Sequence, residues 1–183
     1  MKKSILLVVA MILACLFSGC VKAEPEAVSD NSNIPTHHTV SLATWSDHYS
    51  SKEEMAQKSD LVIVGKLVEG IPELRANLVF TRNQVEVLAV YSGNVQIGDC
   101  VEVLQTGGEY EDYYTDPIAE VPLLSAETVY VLFLRQTKPD ARYGQYYLIM
   151  GGYQGISTIS PDELPKFQEQ PSLIFETFQD FSE

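Results

Sequence analysis

Residues suited to nucleophilic or metal chemistry are few in this chain of 183 residues, which has three histidines and three cysteines. No histidine follows His48, and the motifs G-x-S-x-G, H-E-x-x-H and the P-loop are absent from the sequence. A Ser-His-Asp or Cys-His catalytic device is therefore not expected beyond that histidine. A catalytic pair of carboxylates stays open, because an acidic domain can bring two such groups together without leaving a motif.

Two segments have residue types that bind metals. His37 and His38 precede His48, but adjacent side chains point apart in an extended chain, and no cysteine or carboxylate lies at a ligand spacing nearby. Residues 109–116 hold four carboxylates, which are calcium ligands, yet they lack the D-x-D-x-D-G spacing that wraps the ion. The sequence thus predicts no metal site and no cofactor, and a solvated acidic loop in which cation binding is left open.

Three tyrosines form the candidate ligand-binding surface. Tyr113 and Tyr114 lie in the acidic loop, and Tyr153 lies towards the end of the strand-rich region. Tyrosine combines a flat apolar face with a polar tip, which suits sugars and protein partners. We hypothesise that Tyr113, Tyr114 and Tyr153 line one surface. The alternative is that they are packing residues of a hairpin.

The first 19 residues have the pattern of a secretory signal. Two lysines precede an apolar stretch, residues 5–17, that is short for a membrane span. Phe17-Ser-Gly-Cys20 resembles the lipobox of bacterial lipoproteins, which implies that Cys20 becomes the lipid-bearing first residue. A cut before Cys15 would shorten the apolar stretch, and an unmodified Cys20 is the simpler alternative. We expect a protein anchored by lipid to the extracytoplasmic face of the cell membrane.

Charge limits the classes of partner. The chain has 12 basic and 25 acidic residues, a formal net charge of −13, and loss of Lys2 and Lys3 with the signal brings this to −15. An acidic surface repels phosphate backbones and anionic lipid, so no nucleic-acid partner is expected. The expected partners are the membrane, through the lipid, and an envelope protein or a glycan.

Composition divides the chain into four parts. Residues 1–19 are the signal, and residues 20–44, rich in proline, serine and asparagine, are predicted to be a flexible tether spanning roughly 25 Å. Residues 45–160 are the folded domain, and residues 161–183 are a C-terminal extension. Three apolar residues at i, i+4 and i+7 predict that this extension ends in an amphipathic helix: Ile174, Phe178 and Phe181.

The folded part begins with a helix and a long strand pair. Ser51-Lys-Glu-Glu54 has the form of a capping box and predicts a helix over residues 52–58. An apolar strand starts at Leu61, residues 71–77 are predicted to be a loop, and a second strand covers residues 78–91. Alternation in that strand breaks at residues 88–90, which indicates a bulge.

The later apolar segments predict further strands over residues 100–105, 128–134, 145–150 and 153–160. The predicted fold is therefore mainly β: a five- to six-stranded antiparallel OB-like barrel with a short N-terminal helix and a C-terminal helix. Cys100 falls on the face opposite Val101, where we expect a buried or half-buried, inert thiol.

The order of these segments resembles the OB-like barrel of tissue-inhibitor-of-metalloproteinase and netrin modules in small exported proteins. The resemblance covers about residues 55–160 and rests on four stretches: 59–65, 85–88, 98–108 and 127–134. Those inhibitors act through a disulfide-bonded N-terminal cysteine whose amine chelates zinc. This chain departs there, since Cys20 has no disulfide partner, so the resemblance implies no inhibitory residue.

Three functions are compatible with these observations. The first is a surface-anchored binding module, whose ligand the sequence does not identify. The others are an inhibitor of an envelope hydrolase and an enzyme whose carboxylates leave no motif. A tight 1:1 complex with a hydrolase would favour the inhibitor, and loss of activity on mutation of a carboxylate pair would favour the enzyme.

Overall fold

The computed structural model of the protein describes residues 35–40, 47–118 and 121–177. The predicted signal, Cys20 and most of the predicted tether lie outside the described residues. The elements in chain order are β1 (His37–Thr39), α1 (Lys52–Lys58), β2 (Leu61–Arg75), β3 (Leu78–Ser92), β4 (Cys100–Thr106), β5 (Gly108–Tyr110), β6 (Tyr113–Thr115), β7 (Val129–Gln136), β8 (Tyr147–Ile149), β9 (Ile156–Ile159), α2 (Leu164–Glu169) and α3 (Leu173–Thr177).

Helix α1 covers the residues that the capping box predicts. The Ser51 side chain accepts a hydrogen bond from the Glu54 backbone amide at 3.2 Å. The Glu54 carboxylate accepts from Ser50 and, one turn further on, from the Lys58 ammonium at 2.6 Å. Side chains that satisfy the first amides stabilise a short helix, and the fully buried Met55 then packs it on the barrel.

The predicted loop at residues 71–77 is wrong, because β2 continues to Arg75. The turn consists of Ala76 and Asn77 alone, with φ angles of 48° and 67°, the conformation of a two-residue hairpin. Beyond Lys66, β2 pairs only with β3, so this half of the strand has a free edge. A proline is tolerated on such an edge, which explains why Pro72 does not end the strand.

The predicted bulge in β3 is confirmed. Val64 pairs with Ala89 and Gly65 pairs with Val87, so Leu88 is an extra residue in β3. Because side chains alternate along a strand, one extra residue exchanges the two faces. Val87 accordingly packs inside the barrel, while Ala89 packs on its outer surface.

A closed five-stranded barrel has the strand order β2-β3-β4-β8-β7, with β7 pairing back to β2. Strand β9 pairs with Val129–Leu132 of β7 and β8 pairs with Leu134–Gln136, so both lie on the edge of β7 opposite β2. The pairings in this sheet are antiparallel except that of β4 with β8, which is parallel. This Greek-key closure is the predicted OB-like barrel.

Two cores lie on opposite sides of the barrel wall. The interior core fills the barrel, and the outer core lies between the wall and the helices. Strand β7, predicted over residues 128–134, contributes to both, and its residues from Val129 to Leu134 are buried. The interior core consists of Leu61, Ile63, Val85, Val87, Val101, Val103, Leu124, Tyr130, Leu132 and Leu134. The outer core consists of Tyr49, Met55, Val62, Val64, Ala89, Val129, Val131, Phe133, Met150, Ile159, Phe167 and Ile174.

A buried polar network closes one end of the interior. The Asn83 amide donates to the Gln105 side-chain oxygen at 3.1 Å and to the Val103 carbonyl at 3.3 Å. Gln105 also accepts from the Leu124 backbone amide and donates to the Pro122 carbonyl. Buried polar groups need such partners, and here they hold residues 121–124 across the barrel.

Residues 108–115 form a β5–β6 hairpin rather than the predicted acidic loop, with Glu111 in the left-handed region at φ 51°. Strand β1 pairs with β6 in parallel, so the chain is attached to the domain at His37–Thr39, inside the range predicted as tether. Three-residue strands are too short to show an alternating pattern in a sequence.

The C-terminal part packs on the outer core through α2 and α3. Phe167 of α2 and Ile174 of α3 are almost fully buried there. The C-terminal helix is thus confirmed around Ile174, whereas Phe178 and Phe181 lie outside the described residues. Among the helices that the structure describes, none is long and apolar enough to span a membrane.

Candidate functional site

One side of the barrel wall has no helix packed on it among the described residues, and we call it the open face. Residues paired directly across neighbouring strands point to the same side of a sheet. The pairs Glu73–Phe80, Ile71–Arg82, Arg82–Leu104, Gln84–Glu102 and Leu104–Leu148 therefore define one surface. Its residues alternate with those of the interior core and belong to neither core. The open face consists of Ile71, Glu73, Phe80, Arg82, Gln84, Glu102, Leu104 and Leu148.

Arg82 lies in the middle of the open face between two acids. Its guanidinium is 3.9 Å from the Glu73 carboxylate and 3.6 Å from that of Glu102. Both contacts are long, and its Nε has no hydrogen-bond partner among the described residues. Partly exposed pairs of this kind contribute little to stability. The Arg82 and Glu102 charges are therefore available to a partner at small cost to the fold, whereas Glu73 also pairs with the buried Arg75.

Arg75 joins the tip of the β2–β3 hairpin to the loop between β7 and β8. Its guanidinium donates to the Tyr146 hydroxyl at 2.9 Å and pairs with Glu73. The same group lies 4.2 Å from the centre of the Tyr143 ring and 4.9 Å from that of Tyr146. Cation–π contacts are strongest where water is excluded, and Arg75 is only 9% exposed. In OB folds the two loops joined here flank the ligand face.

The β7–β8 loop is also ordered from within by Asp140. Its carboxylate accepts hydrogen bonds from the backbone amides of Arg142 and Tyr143 at 2.8 and 2.9 Å. These two bonds, helped by the nearby charges of Arg142 and Arg75, lower the pKa of Asp140. Because this turn and Arg75 both hold the loop, the loop is ordered where it borders the open face.

An apolar groove lies where β4 and β8 diverge, beside the open face. Its volume is about 140 Å³. An apolar cavity of about 150 Å³ accepts a benzene-sized group, so the groove matches one leucine or phenylalanine side chain. Leu148, at 41% exposed, lines it on the solvent side, while Leu104 at 6% lies deeper. The lining residues are Leu104, Gln105, Thr106, Ile118, Val121, Leu148 and Ile149.

The structure does not place Tyr113 and Tyr114 on one surface. They are consecutive residues of β6, so their side chains point to opposite faces. Tyr113 stacks on His37, with ring centres 4.5 Å apart, and Tyr114 lies against His38 at 5.1 Å. The sequence hypothesis of a shared surface therefore does not hold for this pair.

Tyr153 lies on the 3-10 turn Gly152–Gly155 between β8 and β9 and is 46% exposed. The turn is fixed by its neighbour Gln154, which is buried and bonds both backbone groups of Tyr49 at 3.0 and 3.1 Å. Tyr153 is thus presented to solvent on a rigid turn, on a different element from Tyr113 and Tyr114. Its role in binding stays a prediction.

Cys100 is exposed, which corrects the prediction of a buried or half-buried thiol. It does lie on the face opposite Val101, as expected, but it is the first residue of β4, and the strand becomes buried only beyond it. Within residues 35–40, 47–118 and 121–177, no group of three or more His, Cys, Asp and Glu side chains is arranged to hold a metal ion. Cys20, the predicted lipidation site, lies outside the described residues.

Sequence reasoning missed the residues of the open face. Assigning residues 71–77 to a loop concealed the pairing of Glu73 with Phe80 and of Ile71 with Arg82. The available signal was the alternation of Phe80, Arg82 and Gln84 with buried residues along β3. Comparisons of this chain with protein-family models, curated proteins and solved structures gave no match.

Proposed function

We propose that this chain is a lipid-anchored, extracytoplasmic binding protein that takes a protein partner on the open face. The observation that supports this most is the groove beside Leu104 and Leu148, in a sheet face that none of the described helices covers. Interfaces are organised around an apolar residue that enters a pocket, surrounded by polar contacts. The groove supplies such a pocket, and Arg82 with its two acids supplies the polar surroundings.

At the open face, a protein partner is favoured over a glycan by the state of the aromatic rings that border it. Glycan sites need exposed ring faces on which sugars stack. Here Arg75 lies over Tyr143 and Tyr146 and within 5.7 Å of the Phe80 ring. Those rings are engaged within the protein, whereas the groove, sized for one apolar side chain, is not. The net charge of −13 favours a partner surface that is neutral or basic.

The proposed location rests on the N-terminal sequence. A signal peptide followed by a lipid-bearing Cys20 would hold the domain at the outer side of the cell membrane. Stable anchoring needs two acyl chains or more, because one gives only marginal attachment. The anchor would confine the open face to the space where envelope proteins reside.

Co-purification from detergent-solubilised envelopes tests the proposal. Leu148→Asp puts a charge at the rim of the groove and should abolish recovery of the partner that accompanies the wild-type chain. Ile97→Asp is the matched control, because Ile97 is 60% exposed on the β3–β4 loop, beyond the opposite end of β4 from the groove. Equal recovery with Leu148→Asp and Ile97→Asp would refute the assignment of the open face.

A further inference from the structure

Strand β1 is held on β6 at both of its ends. The His37 backbone amide donates to the Asp112 carbonyl at 3.0 Å, and the Asp116 amide donates to the Thr39 carbonyl at 2.9 Å. Between them the two strands run in parallel, with His37 opposite Tyr113 and His38 opposite Tyr114. Few backbone bonds are available to so short a strand, so side-chain contacts decide how firmly it is attached.

Those side-chain contacts are made by two histidines. The His37 ring stacks on Tyr113 with an interplanar angle of 18°, and the His38 ring lies against Tyr114. The His38 Nε2 is 3.1 Å from the Asp116 carboxylate. Two of the three histidines in the chain therefore lie on this one strand, on opposite faces of it.

The groups packed against β1 are acidic or aromatic. Tyr113 and Tyr114 face it from β6, and Asp116 faces His38 from the residue after β6. Asp112 in the hairpin turn binds β1 through its backbone, and the same hairpin carries Glu109 and Glu111. A positive charge on His38 is attracted by the Asp116 carboxylate, and a positive charge on either histidine is attracted by the tyrosine ring that it contacts.

We infer that β1 is a pH-sensitive clasp, which attaches the N-terminal segment to the barrel more tightly in acid than at neutral pH. Histidine is the side chain that ordinarily changes charge between about pH 5 and 8. Protonation adds an ion pair with Asp116 and cation–π contacts with both tyrosines.

The clasp lies inside the range that the sequence predicts as the tether. If Cys20 is the anchor, as proposed above, closing the clasp shortens the chain between membrane and domain. This consequence rests on the proposed function, but the clasp itself does not, since its contacts lie within the described domain.

Hydrogen–deuterium exchange of the full mature chain tests the clasp. The amides of His37 and Asp116 report directly on β1, because each donates across the β1–β6 junction. After correction for the intrinsic effect of pH, their protection should be about three-fold greater at pH 5 than at pH 8, the effect of one exposed ion pair. The exchange of these two amides can be measured whether or not Cys20 carries lipid. A failure of the clasp is therefore distinguishable from a failure of the anchor.

Variants show which residues cause the pH dependence of protection. Asp116→Asn and His38→Gln should each reduce the pH dependence, and the double variant His37→Gln/His38→Gln should remove it. His48→Gln is the control, since that histidine is exposed and lies outside β1, and it should behave as wild type. Amides of β7 exchange through global unfolding, so their protection should not show the same difference between pH 5 and pH 8. Equal protection at both pH values, weaker protection in acid, or an unchanged response in the double variant would overturn the inference.

Discussion

The Arg75 guanidinium donates to the Tyr146 hydroxyl at 2.9 Å, although 71 positions separate the two residues in the sequence. This bond joins the tip of the β2–β3 hairpin to the loop that precedes β8. Both segments border the open face, so one buried arginine fixes two margins of the proposed binding surface. The shape of that surface therefore depends on contacts made far apart in the chain.

Replacement of Arg75 should loosen this junction. Arg75→Ala removes the bond to Tyr146, the pairing with Glu73 and the stacking on Tyr143. We expect a loss of about 2–3 kcal/mol in the free energy of unfolding, measured by urea titration. Tyr146→Phe is the matched control, since it keeps the ring, loses one hydrogen bond and should cost about 1 kcal/mol. A loss below about 0.5 kcal/mol for Arg75→Ala would show that the junction is not structural.

A charge placed in the outer core should unfold the domain. Val62 is fully buried in β2, so Val62→Asp leaves an unpaired charge whose cost is several kcal/mol, on the order of the whole stability. Val68 lies in the same strand but is 55% exposed, and Val68→Asp should leave the melting temperature nearly unchanged. Circular dichroism separates the two variants, and a folded, β-rich Val62→Asp protein would show that the core is assigned incorrectly.

The cap of α1 should contribute a defined acid sensitivity. Hydrogen bonds from Lys58 and Ser50 lower the pKa of Glu54 to about 2. A carboxyl whose pKa is lower in the folded state stabilises the fold above its unfolded value, and this is lost as the pH falls towards the folded value. Glu54→Gln should therefore reduce the dependence of stability on pH between about 4.5 and 2. Glu53→Gln, on the same turn, is the control, and an identical acid response in wild type and Glu54→Gln would refute this assignment.

Removal of Cys20 should release the protein from the membrane. Cys20→Ala deletes the proposed acylation site and leaves the described domain intact. Cell fractionation should then recover the variant away from the membrane pellet, and metabolic labelling with fatty acid should fall to background. Cys100→Ala is the control, because it removes the exposed cysteine of β4 and should change neither result. A Cys20→Ala protein that stays in the pellet with unchanged labelling would refute the anchor.

The extent to which the fold follows from sequence depends on the length of each element. The capping residues of α1 and the alternation along β3, including its interruption at Leu88, were readable because their patterns extend over several residues. The β5–β6 hairpin and β1 were not, since three residues give no period. The strand through Pro72 was not readable either, because the free edge of β2 that tolerates a proline exists only in three dimensions.

The candidate site was less predictable than the fold. The groove is formed by β4, β8, Ile118 and Val121, and their proximity depends on the parallel closure of the barrel. Tyrosines were predicted to bind a ligand because of their chemistry, yet Tyr143 and Tyr146 hold Arg75 in place. Leu148 lies in a three-residue strand, where a single apolar residue gives no indication that it faces solvent.

A photo-crosslinking amino acid at position 148, in the anchored protein on intact cells, examines the proposed binding face at the level of one residue. Position 97 carries the same probe in the control, because it is exposed and lies beyond the opposite end of β4 from the groove. The proposal predicts one discrete adduct with an envelope protein from position 148 that is absent from position 97. No adduct from position 148, or the same adducts from both positions, would show that the partner does not bind at the open face.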